Sequence, residues 1–120
     1  MIQLPVNLTT SGFHDPTGNR TPISIPNVEK IREWIMVRNI AHDKSGRAYS
    51  SYRLKHIAED DLGFYLTNGE LIAAMILERF EYYPEGINAR FCLQQIQILS
   101  GKKTTRRDKY QKLKENYLAK

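Results

Sequence analysis

Seven consecutive apolar residues, Leu71-Ile72-Ala73-Ala74-Met75-Ile76-Leu77, fix the centre of whatever this chain becomes. The run is far too short to cross a bilayer, which takes about 20 apolar residues. Just before it, Thr67 and Glu70 stand three residues apart, the spacing of a capping box that satisfies two orphan amides at a helix start. The segment therefore reads as a helix near 69–79. Its surface is apolar all round, so it has to be covered on nearly every side.

The flanking sequence offers the cover. Val28, Ile31, Trp34 and Ile35 recur at helical spacing behind Asn27, a good N-cap, which predicts a helix near 28–40. Ala41 to Arg47, with Asp43, Ser45 and Gly46, reads as a loop. Ser50 caps a helix near 51–62 with Leu54, Ile57, Ala58 and Leu62 on its inner stripe, and Gly63 supplies a left-handed stop. Beyond the central helix, the runs Phe80–Tyr83 and Ala89–Leu93 flank Pro84-Glu85-Gly86, the signature of a β-hairpin, and Gln95 to Ile98 alternate as if a strand continued. A last helix is expected from Thr105, with Asp108 at capping spacing and Tyr110, Leu113 and Tyr117 on one face. Residues 1–26, with Pro5, Pro16, Pro22 and Pro26, read as an extended or irregular segment, although Ile2, Leu4, Val6 and Leu8 alternate like a strand. The expected class is α+β: a three-helix core with a β-hairpin after the third helix over 27–100, winged-helix-like in element order, and a basic C-terminal helix over 101–120.

Charge divides the chain more sharply than hydropathy does. Residues 1–100 carry ten Lys/Arg against eleven Asp/Glu, whereas residues 101–120 carry eight against two. The whole excess of the +5 chain thus lies in the tail, on Lys102, Lys103, Arg106, Arg107, Lys109, Lys112, Lys114 and Lys120. A basic tail on a near-neutral body suits a polyanionic partner, with nucleic acid the commonest. Arg90 on the hairpin and Arg47 before the second helix extend the patch if they face the same way, and Tyr110 and Tyr117 are candidates to stack on unpaired bases. The competing reading is a solvated helix with a docking stripe. Reading of duplex DNA by the central helix would fall to Thr67, Asn68 and Glu70 at its start. The strip Ala73-Ala74 suits close helix packing better than base contact.

Tyr49-Ser50-Ser51-Tyr52, Leu54-Lys55-His56, Glu59, Gly63, Tyr65, Asn68-Gly69-Glu70 and Ile72-Ala73-Ala74 resemble a recurrent segment of small uncharacterised proteins of bacterial phages, prophages and other mobile elements. The resemblance covers residues 49–83. It implies a bacterial mobile-element setting and brings no activity with it.

Catalytic signals are thin. His14-Asp15 and His42-Asp43 faintly resemble ligand pairs of metal-dependent phosphohydrolases, but a metal site needs several converging ligands, and no pair has helical ligand spacing. His56 lies on the polar side of its helix, with Asp60 four residues on. The single cysteine, Cys92, excludes an intrachain disulfide and a thiolate metal site and reads as a small buried hydrophobe in a reducing, cytoplasmic setting. No glycine-rich phosphate loop and no cofactor motif is present. The chain is accordingly read as a non-enzymatic, nucleic-acid-associated protein with no membrane anchor. A protein–protein module, either a homodimer or an inhibitor of a host enzyme, is the rival, drawing on Trp34, Met36, Val37, Ile40, Tyr82, Tyr83 and Ile87. A metal-dependent hydrolase comes third.

Overall fold

The computed structural model describes residues 4–5, 7–13 and 23–119, the Lys103 side chain excepted. Four helices and two small antiparallel sheets make an α+β fold: β1 (Leu8–Thr9), β2 (Gly12–Phe13), α1 (Ile25–Val37), β3 (His42–Ser50), α2 (Ser51–Leu62), α3 (Asn68–Leu77), β4 (Tyr83–Glu85), β5 (Asn88–Leu93) and α4 (Lys103–Leu118). Among the described residues no helix is long and apolar enough to cross a membrane.

The apolar run does sit at the centre. Leu71 to Ile76 are all buried, against Val28, Ile31, Trp34 and Ile35 of α1, Leu54 and Ala58 of α2, and Ala89, Phe91 and Leu93 of β5. Both arms of the Thr67/Glu70 capping box are formed. At the end of α2, Gly63 adopts φ +84°, and its amide donates to Glu59 O. At Gly63 a Cβ would also fall on the Arg107 guanidinium.

Several expectations are corrected. α1 begins three residues early: Ser24, not Asn27, is its N-cap and accepts from the Asn27 amide. Residues 42–47 belong to a strand instead of a loop, and β3 is H-bonded to β5 in the order β3-β5-β4. Only Tyr49 of that strand is buried, so it carries no alternation to read. A bulge interrupts its register, with His42 and Arg47 both opposite Leu93. The larger sheet therefore starts before α2 and not after the third helix, and a second hairpin, β1–β2, precedes α1. Residues 95–98 are not a strand. They run irregularly beside the core, pinned where the Ile96 amide donates to the Tyr49 hydroxyl at 3.0 Å. α4 starts at Lys103 behind Lys102, which makes no side-chain cap, so Thr105 and Asp108 lie inside the helix. Of the alternating N-terminal residues, Leu4 and Leu8 pack against the core, whereas Ile2 and Val6 lie outside the described residues.

The β1–β2 hairpin lies across the start of α3. The Gly69 amide donates to Thr10 O at 2.9 Å, and a Cβ on Gly69 would lie 1.7 Å from Thr9 O. Gly69→Ala gains about 1 kcal/mol of helix propensity but has to push a backbone carbonyl aside, an overpacking cost of about 1–3 kcal/mol. The expected result is a net loss of stability in thermal unfolding. A variant more stable than the parent would show that the hairpin does not sit there.

Candidate nucleic-acid interface

The basic tail is a docked helix. Tyr110 is buried against the body and anchors α4 on α2 and α1, while Leu113 and Tyr117 remain partly exposed. Among the described residues the Tyr110 hydroxyl has no hydrogen-bond partner, and burial, with Glu33 and Asp61 adding to it, pushes its pKa well up. Beneath lies a polar knot. Trp34 Nε1–H donates to Asp61 Oδ2 at 2.8 Å, and Arg38 donates to the same oxygen at 3.2 Å and to Gln97 O.

Docking neutralises part of the tail. Arg106 donates to Asp60 Oδ2 at 2.8 Å and to Gly101 O, and Lys114 Nζ lies 3.0 Å from Glu33 Oε1. Lys109 donates to the Ser100 carbonyl and hydroxyl, and among the described residues no carboxylate pairs with it. Lys102, Arg107 and Lys112 are exposed, and no ion pair holds them among the described residues. Lys112 stands four residues from Asp108 and three from Glu115 on the outward turn of α4. Lys103 opens the helix, and its side chain and Lys120 lie outside the described residues.

Arg90 and Arg47 sit elsewhere. Arg90 points off the sheet away from its buried neighbours Ala89 and Phe91, with Glu85 at 3.2 Å and its guanidinium 5.3 Å from the Tyr83 ring. Arg47 is exposed at the β3 bulge. Neither lines the surface between α2 and α4.

The polar side chains at the start of α3 are engaged within the fold. Thr67 and Glu70 are occupied by capping, and the Asn68 amide donates to Ser11 O at 3.0 Å and Asn88 Oδ1 at 2.8 Å. The fold instead exposes the outer face of α2, which the sequence marked only as the polar side carrying His56 and Asp60. Two concavities of about 350 and 400 Å³ lie there. Glu59, Gly63, Phe64, Tyr65 and Arg107 line one, and Tyr52, Arg53, Ile57, Ile98 and Arg106 the other, with His56 and Asp60 common to both. His56 pairs with Glu59 (Nδ1 to Oε1, 3.1 Å) and not with Asp60. Lys55 reaches the same oxygen at 3.4 Å, and the Leu66 amide donates to the other at 2.9 Å. The available signal was Tyr52, Lys55 and His56 at i, i+3 and i+4 on a helix whose inner stripe lies elsewhere.

Of the candidate metal ligands, His42 sits 3.3 Å from Glu81, and His14 and Asp15 lie outside the described residues. Among the described residues no group of three or more His, Cys, Asp or Glu converges as a metal site would require. Cys92 is only partly buried. No protein-family model, no curated protein and no solved structure matches the chain.

Proposed function

We propose that this chain is a small, non-enzymatic, cytoplasmic protein that associates with nucleic acid, in the bacterial mobile-element setting that the resemblance of residues 49–83 implies. One observation carries the reading: after α4 has docked and given Arg106 and Lys114 to carboxylates, Lys102, Arg107 and Lys109 have no carboxylate partner among the described residues and present their charge around the start of the helix. The order α1-β3-α2-α3-β4-β5, with the sheet ordered β3-β5-β4, supports a winged-helix-like reading of the body. In such a body the third helix reads the major groove. Here that helix is buried in the core, with the β1–β2 hairpin across its start, so affinity falls to the cations of α4.

Because Tyr110 belongs to the core, deleting residues 102–120 would damage the fold, and charge substitution is the cleaner test. Binding of mixed-sequence oligonucleotides by the parent should weaken steeply with salt. The triple variant Lys102→Gln/Arg107→Gln/Lys109→Gln should flatten the slope of log K against log salt by about 2–3, near 0.7–0.9 for each phosphate no longer neutralised. Salt-independent binding, or a variant with the parent's slope, counts against the reading.

A protein-interaction reading has one observation of its own. Met36, Tyr117 and Leu118 are exposed around a groove between α1 and the end of α4. A dimer in light scattering that Met36→Lys dissolves would favour it.

A further inference from the structure

We infer that the surface where α2 meets the start of α4 binds single-stranded nucleic acid, with unpaired bases stacked on Tyr52 and Tyr65 and phosphates held by Arg53 and Arg107. The inference rests on the nucleic-acid reading above and names its ligand and its site. Both rings stand in solvent, Tyr65 at 73% and Tyr52 at 55% exposure. They flank a single ammonium: Lys55 Nζ lies 5.2 Å from the Tyr65 ring centre and 5.3 Å from that of Tyr52, although Lys55 itself is buried. Tyr52 is further fixed by an edge contact with His56, 4.5 Å between ring centres at 83°. Two exposed aromatic rings held in position by a buried cation make a platform that costs little further ordering when a flat, unpaired ring settles on it.

Charge on this surface favours the same ligand. Its two carboxylates already have partners, Glu59 in Lys55, His56 and the Leu66 amide, and Asp60 in Arg106. Arg53 and Arg107, one on each side of the His56–Asp60 ridge, have no carboxylate among the described residues. A backbone crossing the ridge would place a phosphate near each, with a tyrosine beside it in either concavity. A duplex keeps its bases stacked and cannot use the rings. A single strand offers ring faces and phosphates together, whichever sugar it carries.

The test is fluorescence anisotropy with labelled oligo(dT), oligo(U) and a hairpin duplex, the single strands about 16 nucleotides long, the upper range of single-strand site sizes. The parent should bind one or both single strands more tightly than the duplex, and the two homopolymers separate DNA from RNA as the source of the chemistry. Tyr52→Ala/Tyr65→Ala, which removes two stacking rings, should bind the preferred strand more weakly by about thirtyfold or more, with duplex affinity and salt slope unchanged, and Tyr52→Phe/Tyr65→Phe should retain the affinity. Both tyrosines lie outside the core, so the melting midpoint should stay at the parent's value. An alanine pair that binds single strands like the parent, or a parent that prefers the duplex, overturns this inference and leaves the wider reading standing. Failure to bind any of the three probes overturns both.

Discussion

Asp61→Ala is expected to lower stability by about 3–5 kcal/mol, the usual consequence of stranding a buried charge, and thus to bring the melting midpoint down by roughly 10–20 °C for a domain of this size. The carboxylate is the single acceptor on which two buried donors converge, Trp34 Nε1–H at 2.8 Å and Arg38 at 3.2 Å. The Arg38 side chain is only 4% exposed. With Asp61 gone, its guanidinium keeps the Gln97 carbonyl and loses its counter-charge. Three segments meet there, α1, α2 and the irregular stretch before α4, and Tyr110 of α4 lies close enough to feel the charge. The sole tryptophan of the chain is one of the donors, so the change in its environment registers directly in fluorescence. A midpoint within about 3 °C of the parent's, less than 1 kcal/mol for such a domain, would show that the knot contributes little.

The same carboxyl gives the unfolding free energy a pH dependence of unusual sign. Burial pushes the pKa of Asp61 up, and the Trp34 hydrogen bond and the Arg38 charge only partly offset it. A folded-state pKa above the unfolded value of about 3.9 means that the native protein holds this proton more tightly than the unfolded chain. The contribution is then fully present below pH 4 and is lost as pH rises through the raised folded value. Asp61→Asn keeps an oxygen for Trp34 and carries no titrating proton. The parent's margin over it should be widest in acid and should narrow toward neutral pH, read from denaturant unfolding at several pH values. A margin that widens instead would mean that Arg38 pairing outweighs burial.

What the sequence made legible follows the range of the interactions involved. The buried α3, its capping box, the Ser50 cap, the Gly63 stop and the stripe Val28-Ile31-Trp34-Ile35 all rest on contacts within a few residues, and those patterns can be read along a chain. β3 was hidden because its reason for being a strand lies more than forty residues away in β5, and because one edge strand with a bulge buries a single side chain. The β1–β2 hairpin was hidden likewise: two residues per strand carry no period, and its partners are Gly69 and the Ile87 carbonyl. For the site, the sequence supplied the cations of the tail but not their neighbours. Only the fold sets Asp60 against Arg106, Glu33 against Lys114 and Glu85 against Arg90, and only the fold brings Tyr65, after the helix stop, beside Tyr52.

Glu70→Ala should prove nearly as damaging as the loss of Asp61, costing about 2–4 kcal/mol, because this buried carboxylate does more than close one capping box. Its Oε1 accepts from the Thr67 amide at 3.0 Å and from Asn27 Nδ2 at 3.2 Å, and its Oε2 accepts from the Ser24 amide at 3.2 Å. One side chain thus ties the start of α3 to the start of α1, and its removal takes the acceptor from part-buried donors at the starts of both helices. Thr67→Ala removes a single acceptor, the one serving the Glu70 amide, and should cost about 1 kcal/mol, the usual value of an N-cap. Glu70→Gln keeps one oxygen and turns an amide group toward donors, so it should fall between the two. The order is the informative part. Were Glu70 only a capping residue, Glu70→Ala and Thr67→Ala would unfold at the same denaturant concentration. If it joins the helices, the Glu70 variant should also speed amide hydrogen exchange at Val28, whose bond to Ser24 O opens α1, while Thr67→Ala leaves that amide protected.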